Sequence, residues 1–212
     1  MKIGVTRFPG TNCDHDIWSF VEARGHQPRW LWHQDRFNPR EIDAVLVPGG
    51  FSYGDYLRCG ALAAKSPVMN DVRALAAAGK PVLGICNGFQ ILCESGLLPG
   101  VLVRNKSRRF IDEWAELQVE QPNPHFGRGH QTGARLRLPI AHGEGCFLTT
   151  AEEMKRLRGE GQIWLKYVNN PNGSLEDIAG VTNDKRNVAG LMPHPERALY
   201  DWMGGLDGGD FL

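Results

Sequence analysis

The chain has 212 residues, 42% of them hydrophobic, and 24 Lys and Arg residues balance 24 Asp and Glu residues to a formal charge of zero. That length suits one α/β domain with a real core, and a neutral chain gives no electrostatic reason to expect nucleic acid or an anionic membrane as the main partner. No apolar run is long enough to span a bilayer, and no long apolar stretch follows Met1–Val5 as a signal peptide requires, so a cytoplasmic location is expected.

Lys2 to Phe8 reads as a short buried strand that stops at Pro9-Gly10. Thr11 or Asn12 is placed to cap a helix running through Ile17, Phe20 and Val21 to Arg24, with Gly25 as its stop. Arg29 to His33 reads as a second strand. Ile42 to Val47 reads as a third, continuously apolar as a strand covered on both faces should be. Pro48-Gly49-Gly50 breaks it. Pro67 to Ala78 is helical, Val82 to Ile85 is the next strand, and Asn87 to Ser95 the helix after it. Strands alternating with helices over this half imply βαβ units and a parallel sheet.

The second half alternates differently. Ala115 to Glu120 and Ala134 to Ile140 read as strands at a sheet edge, and the Pro-, Gly- and Asn-rich stretch between them as a loop. A short helix over Ala151 to Leu157 precedes strands at Ile163–Val168, Ile178–Thr182 and Val188–Met192. Gly204 to Leu212, with four glycines, reads as a loosely ordered tail.

Of the five cysteines (Cys13, Cys59, Cys86, Cys93 and Cys146), one stands apart. Cys86 lies in Gly84-Ile85-Cys86-Asn87-Gly88, between a buried strand and a helix. Small residues two before and two after it allow the sharp turn of a nucleophile elbow. The helix N-terminus that follows favours thiolate. The bland alternative is a small buried thiol, which the flanking glycines weigh against. The odd count and wide spacing argue against a disulfide framework. Neither Asp14-His15-Asp16 nor His142 with Cys146 completes a four-ligand set, so no metal is expected.

A thiolate doing acyl chemistry needs a base, an orienting group and an oxyanion hole. His194 sits in Met192-Pro193-His194-Pro195-Glu196-Arg197, at the end of an apolar strand. Pro195 holds His194 extended, and residues i and i+2 of an extended chain project to one side. Glu196 can therefore orient the His194 ring. The alternative for this stretch is a plain helix start. His15, His26, His33, His125 and His130 read as surface residues. Gly49 and Gly50, ending a buried strand, are candidate oxyanion donors together with the amide of Asn87; the alternative is a simple turn. There is no phosphate-binding P-loop motif, so nucleotide triphosphate chemistry is not expected in this chain.

These motifs resemble the class I (triad) glutamine amidotransferases. Within them, Phe8–Asp14, Pro48–Arg58, Ala141–Gly145, Asn169–Ser174 and Met192–Arg197 look like the glutaminase subunits of phosphoribosylformylglycinamidine synthases, enzymes of purine biosynthesis. The likeness runs from about residue 3 to about residue 198. One departure lies after Phe110, where the family often has a cysteine and this chain reads Ile111-Asp112-Glu113-Trp114. The resemblance implies an α/β fold of flavodoxin-like type as one domain over 1–212, a central mostly parallel sheet flanked by helices with a few antiparallel edge strands. It implies that Cys86, His194 and Glu196 release ammonia from glutamine through a thioester. Gly50 and Asn87 would be oxyanion donors, and Gln90 a contact to the glutamine α-groups. It also implies a large synthetase partner that carries ATP and Mg, a small accessory subunit, and no cofactor in this chain. Phe51–Arg58 and Thr11–Asp16 are then candidates for the docking surface, with loop ordering as the even alternative. A class I glutaminase of another pathway and a non-catalytic regulatory subunit remain the competing readings.

Overall fold

The computed structural model describes residues 1–212. The elements, in chain order, are β1 (Lys2–Arg7), α1 (Asp14–Ala23), β2 (Gln27–Trp32), β3 (Ala44–Val47), α2 (Val68–Ala77), β4 (Val82–Ile85), α3 (Asn87–Glu94), β5 (Val101–Val103), β6 (Ile111–Val119), β7 (Arg135–His142), β8 (Cys146–Leu148), α4 (Ala151–Gly159), β9 (Ile163–Tyr167), β10 (Ile178–Thr182) and β11 (Val188–Leu191). Nine strands form one sheet in the order β2-β1-β3-β4-β11-β10-β9-β6-β7, and β5 and β8 pair as a separate ribbon.

Five contiguous strands, β2, β1, β3, β4 and β11, are parallel. The strands of β3, β4 and β11 are buried at every position, as the apolar runs at 44–47, 82–85 and 188–191 require of strands covered on both faces. Each fully buried aliphatic side chain there contributes about 1.5–3 kcal/mol. α1 packs against β1 and β2, and α3 lies across β3, β4 and β11. The order 2-1-3-4 reverses direction between β1 and β3, and ligands of open α/β sheets bind beyond the carboxyl ends of strands at such a switch point. Beyond β11, the strands β10, β9, β6 and β7 continue the sheet antiparallel. No helix is long and apolar enough to cross a membrane.

Several expectations need correction. The N-cap of α1 is Cys13, with no side-chain cap bond, in place of Thr11 or Asn12; the Thr11 hydroxyl accepts from the Phe8 N–H and closes the preceding turn instead. His33 and His130 are buried, not surface residues. His33 Nδ1 meets the Tyr53 hydroxyl at 2.7 Å, and the His130 ring packs edge-on against Phe211. The segment 204–212 is a docked chain end. Phe211 is fully buried between Trp164 and His130, and Gly208 donates to the Ala198 carbonyl at 2.9 Å. Its glycines permit close approach: a side chain on Gly208 would collide with the Pro195 carbonyl.

Candidate active site

Cys86 occupies the turn between β4 and α3 with φ 52° and ψ −108°. A non-glycine residue in this region is strained by about 1–3 kcal/mol, and such strain persists where the surroundings over-determine it. The surroundings here are two glycines. A Cβ on Gly84 would lie 2.6 Å from the Gly88 carbonyl, and one on Gly88 would overlap the Val47 carbonyl oxygen. Only hydrogen at both positions lets α3 start directly against the ends of β3 and β4. The elbow read from Gly84-Ile85-Cys86-Asn87-Gly88 is therefore present.

β11 delivers the partner. It lies beside β4 in register, Leu191 opposite Ile85, and the Cys86 N–H donates to the Leu191 carbonyl at 2.8 Å. Three residues beyond this edge, His194 donates its backbone N–H to the Pro139 carbonyl of β7. Its ring Nδ1 meets Glu196 Oε1 at 2.6 Å, and both side chains are buried. The expected i, i+2 contact thus forms, with one change to its cause: Pro195–Arg197 is a single 3₁₀ turn, not extended chain. The point where Gly49 would carry a Cβ lies 2.9 Å from His194 Cε1 and 3.3 Å from Cys86 Cβ, so thiol and imidazole flank one glycine. His194 Nε2, the nitrogen left free by Glu196, is shielded from solvent and holds no formed hydrogen bond. Catalytic hydrogen bonds of this kind often tighten only when substrate is bound.

Burial alone would push the His194 ring toward neutrality, but the facing charges of Glu196 and Cys86 outweigh it and raise its pKa to about 10. The arrangement therefore favours the imidazolium form of His194.

Of the sequence-predicted oxyanion residues, Gly50 lines the cavity in front of Cys86. Its N–H is engaged by no other group, and its φ of 125° suits glycine. Gly49 does not line the cavity; its carbonyl accepts from Cys13 N–H at 3.4 Å, and its missing side chain makes room for His194. Asn87, first residue of α3, has an amide with no partner one turn back. Its side chain has a second task, accepting from Ser52 N–H at 3.2 Å and donating to Gln90 Oε1 at 2.8 Å. Gln90 reaches the cavity, yet its amide is also bonded to the Glu144 carbonyl at 2.6 Å. Part of its bonding capacity is thus spent on holding the 141–145 loop.

Sequence reasoning missed three neighbours. Cys13 brings its sulfur to within 3.3 Å of the same Gly49 point, and Arg197 donates to that sulfur at 3.1 Å while pairing with Asp16. Burial raises the Cys13 thiol to about 12 despite the Arg197 charge. Ligand atoms of Cys13, His194 and Glu196 lie within 4.8 Å of one another, but the guanidinium on Cys13 repels a cation, which favours a hydrogen-bonded network over a metal centre. The only signals for Cys13 and Arg197 were their places in the 8–14 and 192–197 motifs.

The third is His142. Its Nδ1 and the Gly145 N–H both contact Asn105 Oδ1, at 3.1 and 3.0 Å. The ring packs where a Gly145 side chain would stand, which explains that glycine in the 141–145 motif. The 169–174 motif buttresses the same loop: Asn172 donates to Gly145 O at 2.9 Å, and Ser174 Oγ accepts from Phe147 N–H. Burial, with the nearby His194 charge, lowers the His142 pKa to about 4. The unfolded chain then takes up this proton first, near 6.5, and stability falls as the pH drops from there toward 4. By pH 5 the cost from His142 is about 2 kcal/mol. His142→Gln is expected to lose less melting temperature between pH 7 and pH 5 than the unaltered chain; equal losses would show that the ring does not resist protonation.

The cavity in front of Cys86, His194 and Gln90 has a volume of about 680 Å³. Its walls come from the loops after β1, β3, β4 and β11, and from the 104–112 and 141–144 segments.

A model of the CobB/CobQ-like glutamine amidotransferase domain matches residues 1–206. A curated relative from Helicobacter hepaticus, named phosphoribosylformylglycinamidine synthase subunit PurQ, is 49% identical over 98% of this chain and 94% of its own. A protein of the same name from Nitrobacter hamburgensis is 48% identical, with the same coverage of each chain. Among solved structures, a chain of PurLQS from Thermotoga maritima is 41% identical and superposes with a TM-score of 0.90, covering 99% of this chain and 94% of that one.

Proposed function

The chain belongs to the CobB/CobQ-like glutamine amidotransferases, and from that premise we propose that it is the glutaminase subunit of a phosphoribosylformylglycinamidine synthase. The observation that carries the reading is the cysteine elbow meeting a buried His194–Glu196 pair at one cavity, in a chain that matches relatives named PurQ along nearly its whole length.

In this reading the Cys86 thiolate attacks the side-chain amide carbon of glutamine. The developing oxyanion is received by the amides of Gly50 and Asn87. His194, as imidazolium, protonates the nitrogen; the C–N bond breaks, ammonia leaves and a γ-glutamyl thioester remains. The now neutral His194 takes a proton from water, whose oxygen attacks the thioester; collapse of that intermediate expels the thiolate and gives glutamate. Glu196 keeps Nδ1 protonated, so that Nε2 faces the reacting atoms, and stabilises the imidazolium. The ammonia passes to a synthetase partner that uses ATP and Mg to convert formylglycinamide ribonucleotide to formylglycinamidine ribonucleotide. A small accessory subunit completes the complex. This chain itself needs no metal or organic cofactor, works as one domain, and operates in the cytoplasm.

The base is less dispensable than its orienter. His194→Ala is expected to lower glutamine-dependent turnover of the complex by about 10³-fold or more, and Glu196→Ala by a smaller factor, in steady-state assays of glutamate release. Equal losses would give Glu196 a further structural duty in the catalytic turn.

A further inference from the structure

The cavity beside Cys86 holds charges that the protein itself leaves unanswered. Asp55 stands half-buried on its wall. Its Oδ1 is shielded from solvent and has no hydrogen-bond partner, and no Lys, Arg or His pairs with it. Burial lifts its carboxyl above the ordinary range; the Cys59 thiol offsets this in part, and the Glu144 carboxylate adds to it. Glu144, the neighbouring acid, already has a cation, Arg104 at 3.6 Å. Arg108 and Arg109 also line the cavity, and neither guanidinium is paired with a carboxylate. Asp55 is the partly desolvated charge, and it lacks a cationic partner, while the exposed guanidinium groups of Arg108 and Arg109 border the same chamber without a carboxylate; a ligand carrying both signs would answer all three.

The backbone points the same way. Three lining residues, Asp55, Cys86 and Arg108, hold left-handed φ angles of 57°, 52° and 58°. Tyr53, Gly54 and Leu57 beside Asp55 do so as well. Strain of this kind collects at ligand clamps, where it fixes side chains in place before binding. The Asp55 loop is further pinned by Tyr53 N–H on Pro9 O and Ser52 N–H on Asn87.

We propose that Asp55 binds the α-ammonium group of the substrate glutamine and that Arg108 and Arg109 bind its α-carboxylate; this rests on the glutaminase reading above. With the amide carbon at Cys86, the zwitterionic head reaches along the cavity toward these charges. The volume of about 680 Å³ lies within the range of small-ligand sites. Such a clamp selects free glutamine over glutaminyl residues in peptides, which lack both head charges, and over simple carboxamides. Discrimination by unpaired buried polar groups is the stronger kind.

The test uses Asp55→Asn in complex with the synthetase partner, because Asn tolerates the left-handed backbone while removing the charge. The probe is the diazoketone analogue of L-glutamine, and the readout is the alkylation rate at Cys86 by peptide mapping. Asp55→Asn is expected to slow labelling on the order of 10- to 100-fold, the span of a charge-assisted hydrogen bond. Iodoacetamide, which has no amino-acid head, should label Cys86 equally in both proteins, and so should a diazoketone lacking the α-amino group. Unchanged labelling by the full analogue overturns the assignment of Asp55. A parallel loss with iodoacetamide also overturns it, placing Asp55 in the architecture of the elbow. If Cys86 of the unaltered chain is neither labelled by the analogue nor protected by glutamine, the glutaminase reading itself fails.

Discussion

Cys86→Ala is expected to abolish glutamine-dependent turnover of the complex, by on the order of 10⁴-fold or more, while turnover on ammonium chloride persists. The argument is local. The sulfur is the only nucleophile on the elbow, and alanine removes it without disturbing Gly84 or Gly88, whose bare backbones set the turn. Alanine also fits the space, since the thiol makes only one weak contact, to Ala141 O at 3.7 Å. Product formation measured side by side with glutamine and with ammonia separates the two half-reactions. Retained use of glutamine would place the nucleophile elsewhere, and loss of both activities would mean that the complex no longer assembles.

Gly88→Ala is expected to be severely destabilising. The added carbon would overlap the Val47 carbonyl oxygen at the end of β3, a backbone atom that cannot step aside as a side chain does. Relief requires α3 to lift from the sheet, and α3 carries buried Phe89, Ile91 and Leu92. Overpacking of this sort costs about 3 kcal/mol, or roughly 6 to 12 °C in melting temperature for a chain of this size, and it displaces Cys86. Gly129→Ala is the control: nothing lies within 4 Å of the point where its Cβ would stand, and its φ is ordinary. Equal melting temperatures for the two variants would show that the helix does not rest on β3 as described.

Much of the site was legible because its chemistry is written in short, local signals. Two glycines around a cysteine and two prolines around a histidine dictate backbone turns, and turns are nearest-neighbour events. What escaped notice depends on distance. β5 and β8 have three residues each, too few to display a period. The sequence of strands β10-β9-β6-β7 is set by which edges meet, which no local pattern records. The expectation of a loose tail followed its glycine content and overlooked one aromatic ring, Phe211, with a slot waiting between Trp164 and His130. Cys13 and Arg197 were read as parts of separate motifs; their contact appears only once β1 and β11 bring both loops to the same end of the sheet.

The place of β11 between β4 and β10 has a consequence for biosynthesis. As the polypeptide leaves the ribosome, β4 and its cysteine emerge early, whereas the strand that must lie beside β4 is among the last to appear. Until then the nascent sheet has an open, wholly apolar edge at its centre, the kind of surface that chaperones shield. The same delay is protective. The thiol has no imidazole while translation is under way, so a half-made chain cannot consume glutamine.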